Sequence, residues 1–315
     1  MNEFKLGTYI KKRREELKMS QEELCEGLCA VSSLSRIENN QQDPSRNLTK
    51  NLLERLGLPK DKFTALWSQK DITVGALMRE INNDIVRHRQ APKEDQPQVQ
   101  AQIREKLAEL EEITAPDDKS ARQFLLAQRA ILGDANGPYG FEKKLAMQLE
   151  AIQLTCPGFD PEDFRHGRYS MDEALLIHQI ANTYSADGQK NRAIDMDRQL
   201  LWYIEKYYKE LAGYASTLCL VAHNCAIRLG ALKRYTDAID IAEKGRDTCI
   251  QYGQYQFLPG FLAVLAECNF FRGNKDASKA LYLRAYYVYD AFEDWSNREI
   301  MRKEMREHLG LEPEY

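Results

Sequence analysis

Three glycines, Gly188, Gly230 and Gly273, stand 42 and 43 residues apart, and each separates two apolar helical patterns. LLIHQIANTYSADG, TLCLVAHNCAIRLG and FLAVLAECNFFRG lead up to them; KNRAIDMDRQLLWYI, LKRYTDAIDIAEKG and KDASKALYLRAYYVY follow. A fixed period in the range of about 20–50 residues marks stacked supersecondary units, none of which can bury its apolar face alone. The spacing predicts helical hairpins with turns at these three glycines and at Gly133, and Ala193, Ala238, Ala277 and Ala280 leave room for paired helices to approach closely. Because the period exceeds the roughly 34 residues of standard tetratricopeptide repeats, the expected architecture is a tetratricopeptide-like α-solenoid.

Apolar residues recur at helical spacing from Phe4 onward, and alternating β-branched runs with hairpin turns are absent, so the whole chain is expected to be all-α. Its 315 residues suggest two domains: 1–70, an N-terminal five-helix unit, and 71–315, the repeats, with the boundary near Gln69 to Thr73. Charge divides the same way. The net charge is -4, but residues 1–70 carry thirteen Lys/Arg against ten Asp/Glu, or +3, which leaves -7 for the rest. A locally basic small domain on an acidic body can meet nucleic acid at one end only.

Several classes are excluded by composition. The longest uncharged run, Thr248 to Ala266, contains Gln251, Gly253, Gln254, Gln256, Pro259 and Gly260, which would leave amides and broken backbone in lipid, so no membrane span is expected. The opening MNEFKLGTYIKKRREE has no apolar signal core, and a cytoplasmic location is the expectation. Seven scattered cysteines fit reduced, buried thiols. Cys25 and Cys29 lie one turn apart, but nothing nearby completes four ligands, so neither metal nor cofactor is expected.

The most specific signal lies between Leu6 and Phe63. Helix 1 is predicted over Leu6 to Leu17; Ser20 then caps a second helix, with Glu23 as its reciprocal partner three residues on. Val31 to Asn39 reads as a recognition helix, and Pro44-Ser45 starts the next one. Ser32 and Ser33 with Arg36 one turn later form a polar face suited to the major groove, where hydroxyls donate or accept and Arg grips guanine. Leu34 and Ile37 lie on the opposite side. Gln21, at the entrance of the second helix, and Lys12 and Arg46 are candidate phosphate contacts.

The ordered set SQEEL, SRIEN and DPS resembles the helix-turn-helix domain of the phage-repressor and Cro-like family. That resemblance implies a buried ion pair between Arg14 and Glu38 and a left-handed residue at Asn40, where many relatives have glycine. Joined to helical repeats, and with a cysteine ahead of the recognition helix in LCEGLCAVSSLSRIEN, the chain resembles the Rgg/PlcR group of peptide-sensing transcriptional regulators. The resemblance implies a homodimer on a double-stranded DNA operator with an inverted repeat, gated by a short intracellular signalling peptide, as in quorum sensing.

Residues that could hold such a peptide can be named independently. Asn182 and Asn224 stand six residues before Gly188 and Gly230, and Glu267 holds the matching place before Gly273. An amide there can donate to a peptide carbonyl and accept from a peptide N–H; Glu267 would favour a basic group, with Asn269 supplying the amide beside it. His178 and Arg228 fall one turn from the two asparagines, and Arg129 sits in the preceding repeat. Tyr184, Tyr255 and Phe261 could form apolar pockets, although aromatic stripes at helical spacing are usually core. Trp295, Ile300 and Met301 on the last helix are candidates for pairing with a second copy.

Two other readings are weighed. The repeats could dock a protein partner in place of a peptide. An enzyme is not expected: phosphate loops, HExxH and GxSxG are missing, and Cys219, His223 and Cys225 lie on an apolar helix where packing is the simpler role.

Overall fold

The computed structural model describes residues 5–58, 69–90, 94–134, 137–211 and 213–313. Among them the all-α expectation holds: there is no strand, only an isolated bridge between Asp134 and Gly137. The chain divides into two compact units, Met1–Thr183 and Tyr184–Tyr315.

The first unit begins with α1 (Leu6–Glu16), α2 (Gln21–Cys25), α3 (Val31–Glu38) and α4 (Arg46–Arg55). Ile10, Leu24, Leu34, Ile37, Leu52 and Leu53 from all four helices are buried together as one core. Of the five helices expected in residues 1–70, four are described, and residues 59–68 lie outside the described residues. The capping box is present: Glu23 N–H donates to Ser20 Oγ at 3.1 Å and Ser20 N–H to Glu23 Oε2 at 2.6 Å. α1 and α3 cross so closely that a Cβ on Gly7 would stand 1.8 Å from the Ile37 carbonyl oxygen. Only glycine fits there. The chain turns after α3 through Asn40, whose φ of 56° is left-handed. Its side chain accepts from Gly7 N–H at 3.1 Å and donates to Thr8 Oγ1 at 2.9 Å.

α5 (Gln69–Gln90), α6 (Gln96–Ile113), α7 (Lys119–Leu132) and α8 (Phe141–Thr155) follow, and α9 (Met171–Ala186) carries the division between the units. Ile81, Ile85, Ile103, Leu107, Leu110 and Leu125 form the core of α5 to α7. The long α8–α9 connection is packed by its own rings, Phe159, Phe164 and Tyr169, with centroids 5.7 to 6.3 Å apart.

The second unit stacks α10 (Lys190–Tyr207), α11 (Tyr214–Ala231), α12 (Tyr235–Gln251), α13 (Leu258–Phe271), α14 (Lys275–Ala291) and α15 (Trp295–Leu309), each against the next. Gly188 and Gly273 take left-handed φ values in their turns, as does Gly133 at the end of α7. Gly230 does not. α11 runs through it to Ala231, and Lys233 takes the left-handed position with a φ of 60°. On α15, Met301 is buried in the core with Tyr282 and Met305, whereas Trp295 and Ile300 are exposed; Met301 therefore holds α15 onto its own unit.

Candidate nucleic-acid interface and ligand positions

Helix α3 is held from behind by charge. Arg14 Nε lies 2.6 Å and Nη2 3.0 Å from the two carboxylate oxygens of Glu38, and Nη1 donates to the Met19 carbonyl at 2.7 Å. Arg14 is 9 % and Glu38 2 % exposed. The hydrogen bonds that Arg14 donates to the Glu38 carboxylate raise its pKa against the opposing effect of burial. This arrangement pins α3 to α1 and leaves its other side outward: Ser32 and Arg36 are exposed and Ser33 half-buried, while Leu34 and Ile37 are in the core.

The candidate phosphate contacts fare differently. Lys12 is exposed on α1. Gln21 spends its side-chain amide on Glu38 Oε2, at 2.7 Å. The Arg46 guanidinium lies against α5, so close that a Cβ on Gly75 would stand 2.3 Å from it. It faces the repeat helices, and the basic residue next to a cap is here a packing residue.

A further cluster was not foreseen from sequence. Arg55, at the end of α4, donates to the carbonyls of Leu24 at 3.3 Å, Glu26 at 2.7 Å and Thr155 at 3.0 Å, and pairs with Glu173 of α9 at 3.2 Å. Next to it, Glu54 accepts the Met171 N–H at 2.8 Å, and Lys50 pairs with Asp172. Gly27 completes the contact, since a Cβ there would meet the Thr155 carbonyl oxygen at 1.9 Å. Within the first unit, α4 thus serves both the four-helix core and the contact with α7 to α9. The adjacent charges Glu54 and Arg55, set between Leu52-Leu53 and Leu56, were the available signal.

Asn182 is exposed, Asn224 half-buried and Glu267 exposed. His178 is 3 % exposed. Arg228 is also buried, in an ion pair with Asp197 of α10, which places it inside the second unit. Asn269 donates back to the Leu265 carbonyl at 2.8 Å and accepts from Asn274 at 3.1 Å. Arg129 pairs with Glu111 at 2.6 Å on the surface. Of the three aromatic candidates, Tyr184 and Phe261 are core residues and Tyr255 is exposed.

The Cys219, His223, Cys225 set does not assemble into a nucleophile. Burial pushes both thiols up to about 12 and lowers the His223 pKa; an activated thiol needs the reverse. His223 packs edge-on to Phe261, its ring 5.4 Å away. Among the described residues no group of three or more His, Cys, Asp or Glu is placed to hold a metal ion, and no helix is long and apolar enough to cross a membrane.

Comparison with known proteins agrees with this geometry. The helix-turn-helix family model matches residues 10–63. No characterised protein sequence matches the chain significantly. Among solved structures, Bacillus thuringiensis PlcR in complex with the peptide PapR7 and DNA is 18% identical, with 94% of this chain and 98% of that one covered and a TM-score of 0.59. The apo form of the same protein gives 16% identity, coverage of 94% and 97%, and a TM-score of 0.55. The SHP pheromone receptor Rgg2 of Streptococcus dysgalactiae is 15% identical over 96% and 100%, with a TM-score of 0.48. Residues 10–63 are therefore a helix-turn-helix domain, and the chain as a whole has the Rgg/PlcR-type fold that its sequence resembles.

Proposed function

We propose that the chain is a sequence-specific DNA-binding transcription regulator gated by a short signalling peptide held by its repeat domain. The observation that carries the DNA-binding part is the α3 face: Ser32 and Arg36 exposed and Ser33 half-buried, on a helix fixed by the Arg14–Glu38 pair. Base edges are read by such side chains, and backbone contacts such as Lys12 add affinity without specificity. We place residues 1–70 in the DNA-binding domain and 71–315 in the peptide-sensing and dimerisation domain. One headpiece reads only a few base pairs, so a homodimer on an inverted-repeat operator completes the reading.

Likeness to a PlcR structure that holds both a peptide and DNA supports peptide gating. The positions on this chain best able to meet a peptide are Asn182, Asn224 and Glu267, which solvent reaches. His178, Arg228 and Asn269, buried or internally bonded, would act by supporting their helices, and Arg129 would first have to leave Glu111.

The test is operator selection from random DNA, followed by anisotropy titrations. Arg36→Ala should lose about 1–3 kcal/mol and relax one base position, while Lys12→Ala should weaken all sequences alike and flatten the salt dependence. Normal operator binding by Arg36→Ala would remove α3 from the interface. For gating, a short exported peptide encoded beside the gene is titrated against wild type, Asn182→Ala and Asn224→Ala. Operator affinity and transcription both indifferent to that peptide would discard gating, and co-purification of a folded protein on the repeats would replace it with protein docking.

A further inference from the structure

Val31 is the exception among the apolar side chains of the headpiece. Each Leu, Ile, Met and Tyr of residues 5–58 is buried in its core or packed against it, whereas Val31 stands outside that core and is 36% exposed. Among the described residues of the headpiece no other large hydrophobic side chain is so exposed. Val31 opens α3, directly after Ala30, and a β-branched residue loses rotamer freedom in a helix. Neither burial in the core nor helix propensity explains a valine here.

Its position does. Val31, Ser32, Ser35 and Arg36 are spaced i, i+1, i+4 and i+5, which places them along one side of α3, while Leu34 and Ile37 are in the core. Ser32 and Arg36 offer donors and acceptors to base edges. Val31 offers only methyl groups. In the major groove such a side chain has one complement among the base edges, the C5-methyl of thymine; the other groups there are donors and acceptors. A methyl pressed on those would displace water without replacing its hydrogen bonds, and phosphate oxygens would lose water in the same way. Five residues separate Val31 from Arg36, a rise of about 7.5 Å. Base pairs stack about 3.4 Å apart, so the two side chains reach base pairs about two steps from each other.

We propose that Val31 is a specificity-determining residue that packs on the 5-methyl group of a thymine in each operator half-site, about two base pairs from the guanine gripped by Arg36. This rests on the DNA-reading face of α3 argued above and adds to it an apolar contact with a named base.

The test begins with selection by the full-length wild type from duplexes carrying a random segment of about 20 base pairs, at about 50 mM salt, where phosphate contacts are strong. Each thymine of the enriched duplex is then replaced in turn by deoxyuridine, which lacks only the 5-methyl group. Anisotropy titrations compare wild type, Val31→Ser and Val31→Ile. Burying one methyl is worth about fourfold in affinity, so deoxyuridine at the contacted thymine should weaken wild type about fourfold per half-site. Val31→Ser should bind the thymine and deoxyuridine duplexes equally, and Val31→Ile should keep the penalty. Because Val31 lies outside the core, both variants should retain the helicity of wild type by circular dichroism. An enriched sequence in which no thymine responds to loss of its methyl, or a penalty that persists in Val31→Ser, would overturn the proposal while leaving base reading by Arg36 in place. So would a response more than about four base pairs from the position relaxed in Arg36→Ala, since α3, eight residues and about 12 Å long, cannot span that distance. A wild type that enriches no sequence would remove DNA reading by α3 and this contact with it, which separates the two failures.

Discussion

Replacing Arg55 by alanine removes the hydrogen bonds it donates to the Leu24, Glu26 and Thr155 carbonyls and to Cys156 Sγ, and one partner of an ion pair whose side chains are 2% and 0% exposed. Glu173 then keeps the Ser170 N–H, at 2.7 Å, but no countercharge among these contacts. Breaking a buried pair by deleting one member costs about 3–5 kcal/mol, because the other charge stays in a poor solvent. A solvent-exposed pair is worth at most about 1 kcal/mol. Burial therefore decides the magnitude, and the loss should fall on the contact between α4 and the α8–α9 region. With two compact units, a single unfolding transition is not assured, so the readout is native-state hydrogen exchange of the α4 amides. At 1.36 kcal/mol per decade, exchange there should accelerate by about two to four orders of magnitude. Arg55→Met combined with Glu173→Leu should recover most of the loss, since an apolar pair of similar volume is often neutral or better. Exchange within about threefold of wild type in Arg55→Ala, or a double variant whose cost is the sum of the single ones, would refute coupling through this pair.

Gly7→Ala should destabilise the headpiece by about 1–3 kcal/mol, the usual cost of overpacking, because the new methyl meets the Ile37 carbonyl oxygen at 1.8 Å; thermal melts of wild type and variant check it, and an unchanged melt would mean that α1 and α3 separate freely. The thiols should react slowly with Ellman's reagent at pH 8 in the native protein and fully when it is denatured, since burial raises Cys29 and Cys268 to about 11 and Cys219 and Cys225 to about 12; one fast native thiol among these four would contradict their placement. Burial, reinforced by Glu267, also raises the Glu304 pKa above its ordinary 4.5. The folded state then binds that proton more tightly than the unfolded chain, so the contribution is full below about 4.5 and is lost as pH rises through the raised value. Glu304→Gln should flatten the stability profile above pH 4.5, measured by denaturant midpoints at several pH values, and a profile parallel to wild type would place the carboxyl in solvent.

What the sequence reveals and what it hides follow from the range of the forces involved. The capping box at Ser20, the core side of α3 and the helix pairs α11–α12 and α13–α14 are encoded within a few residues of themselves, so spacing alone finds them. The turn after α11 shows the limit of local signals: Gly230 has the residue type of a helix stop, yet packing carries the helix one residue further and strains Lys233 instead. Charges on apolar stretches mislead in a more instructive way. Arg228 and His178 read as groove residues because polar groups on first helices have to be solvated or satisfied, and Arg228 is satisfied by Asp197, 31 positions earlier. Arg55 and Glu173 are 118 positions apart, and neither neighbourhood names the other. A lone charge in an apolar pattern states only that a partner is required, since an isolated buried ion is prohibitively costly. Which residue supplies that partner is decided by chain topology. In this chain topology sets α4 of a DNA-binding motif against α9 of the repeats, so the buried charges join headpiece to repeats and leave the α3 face to solvent.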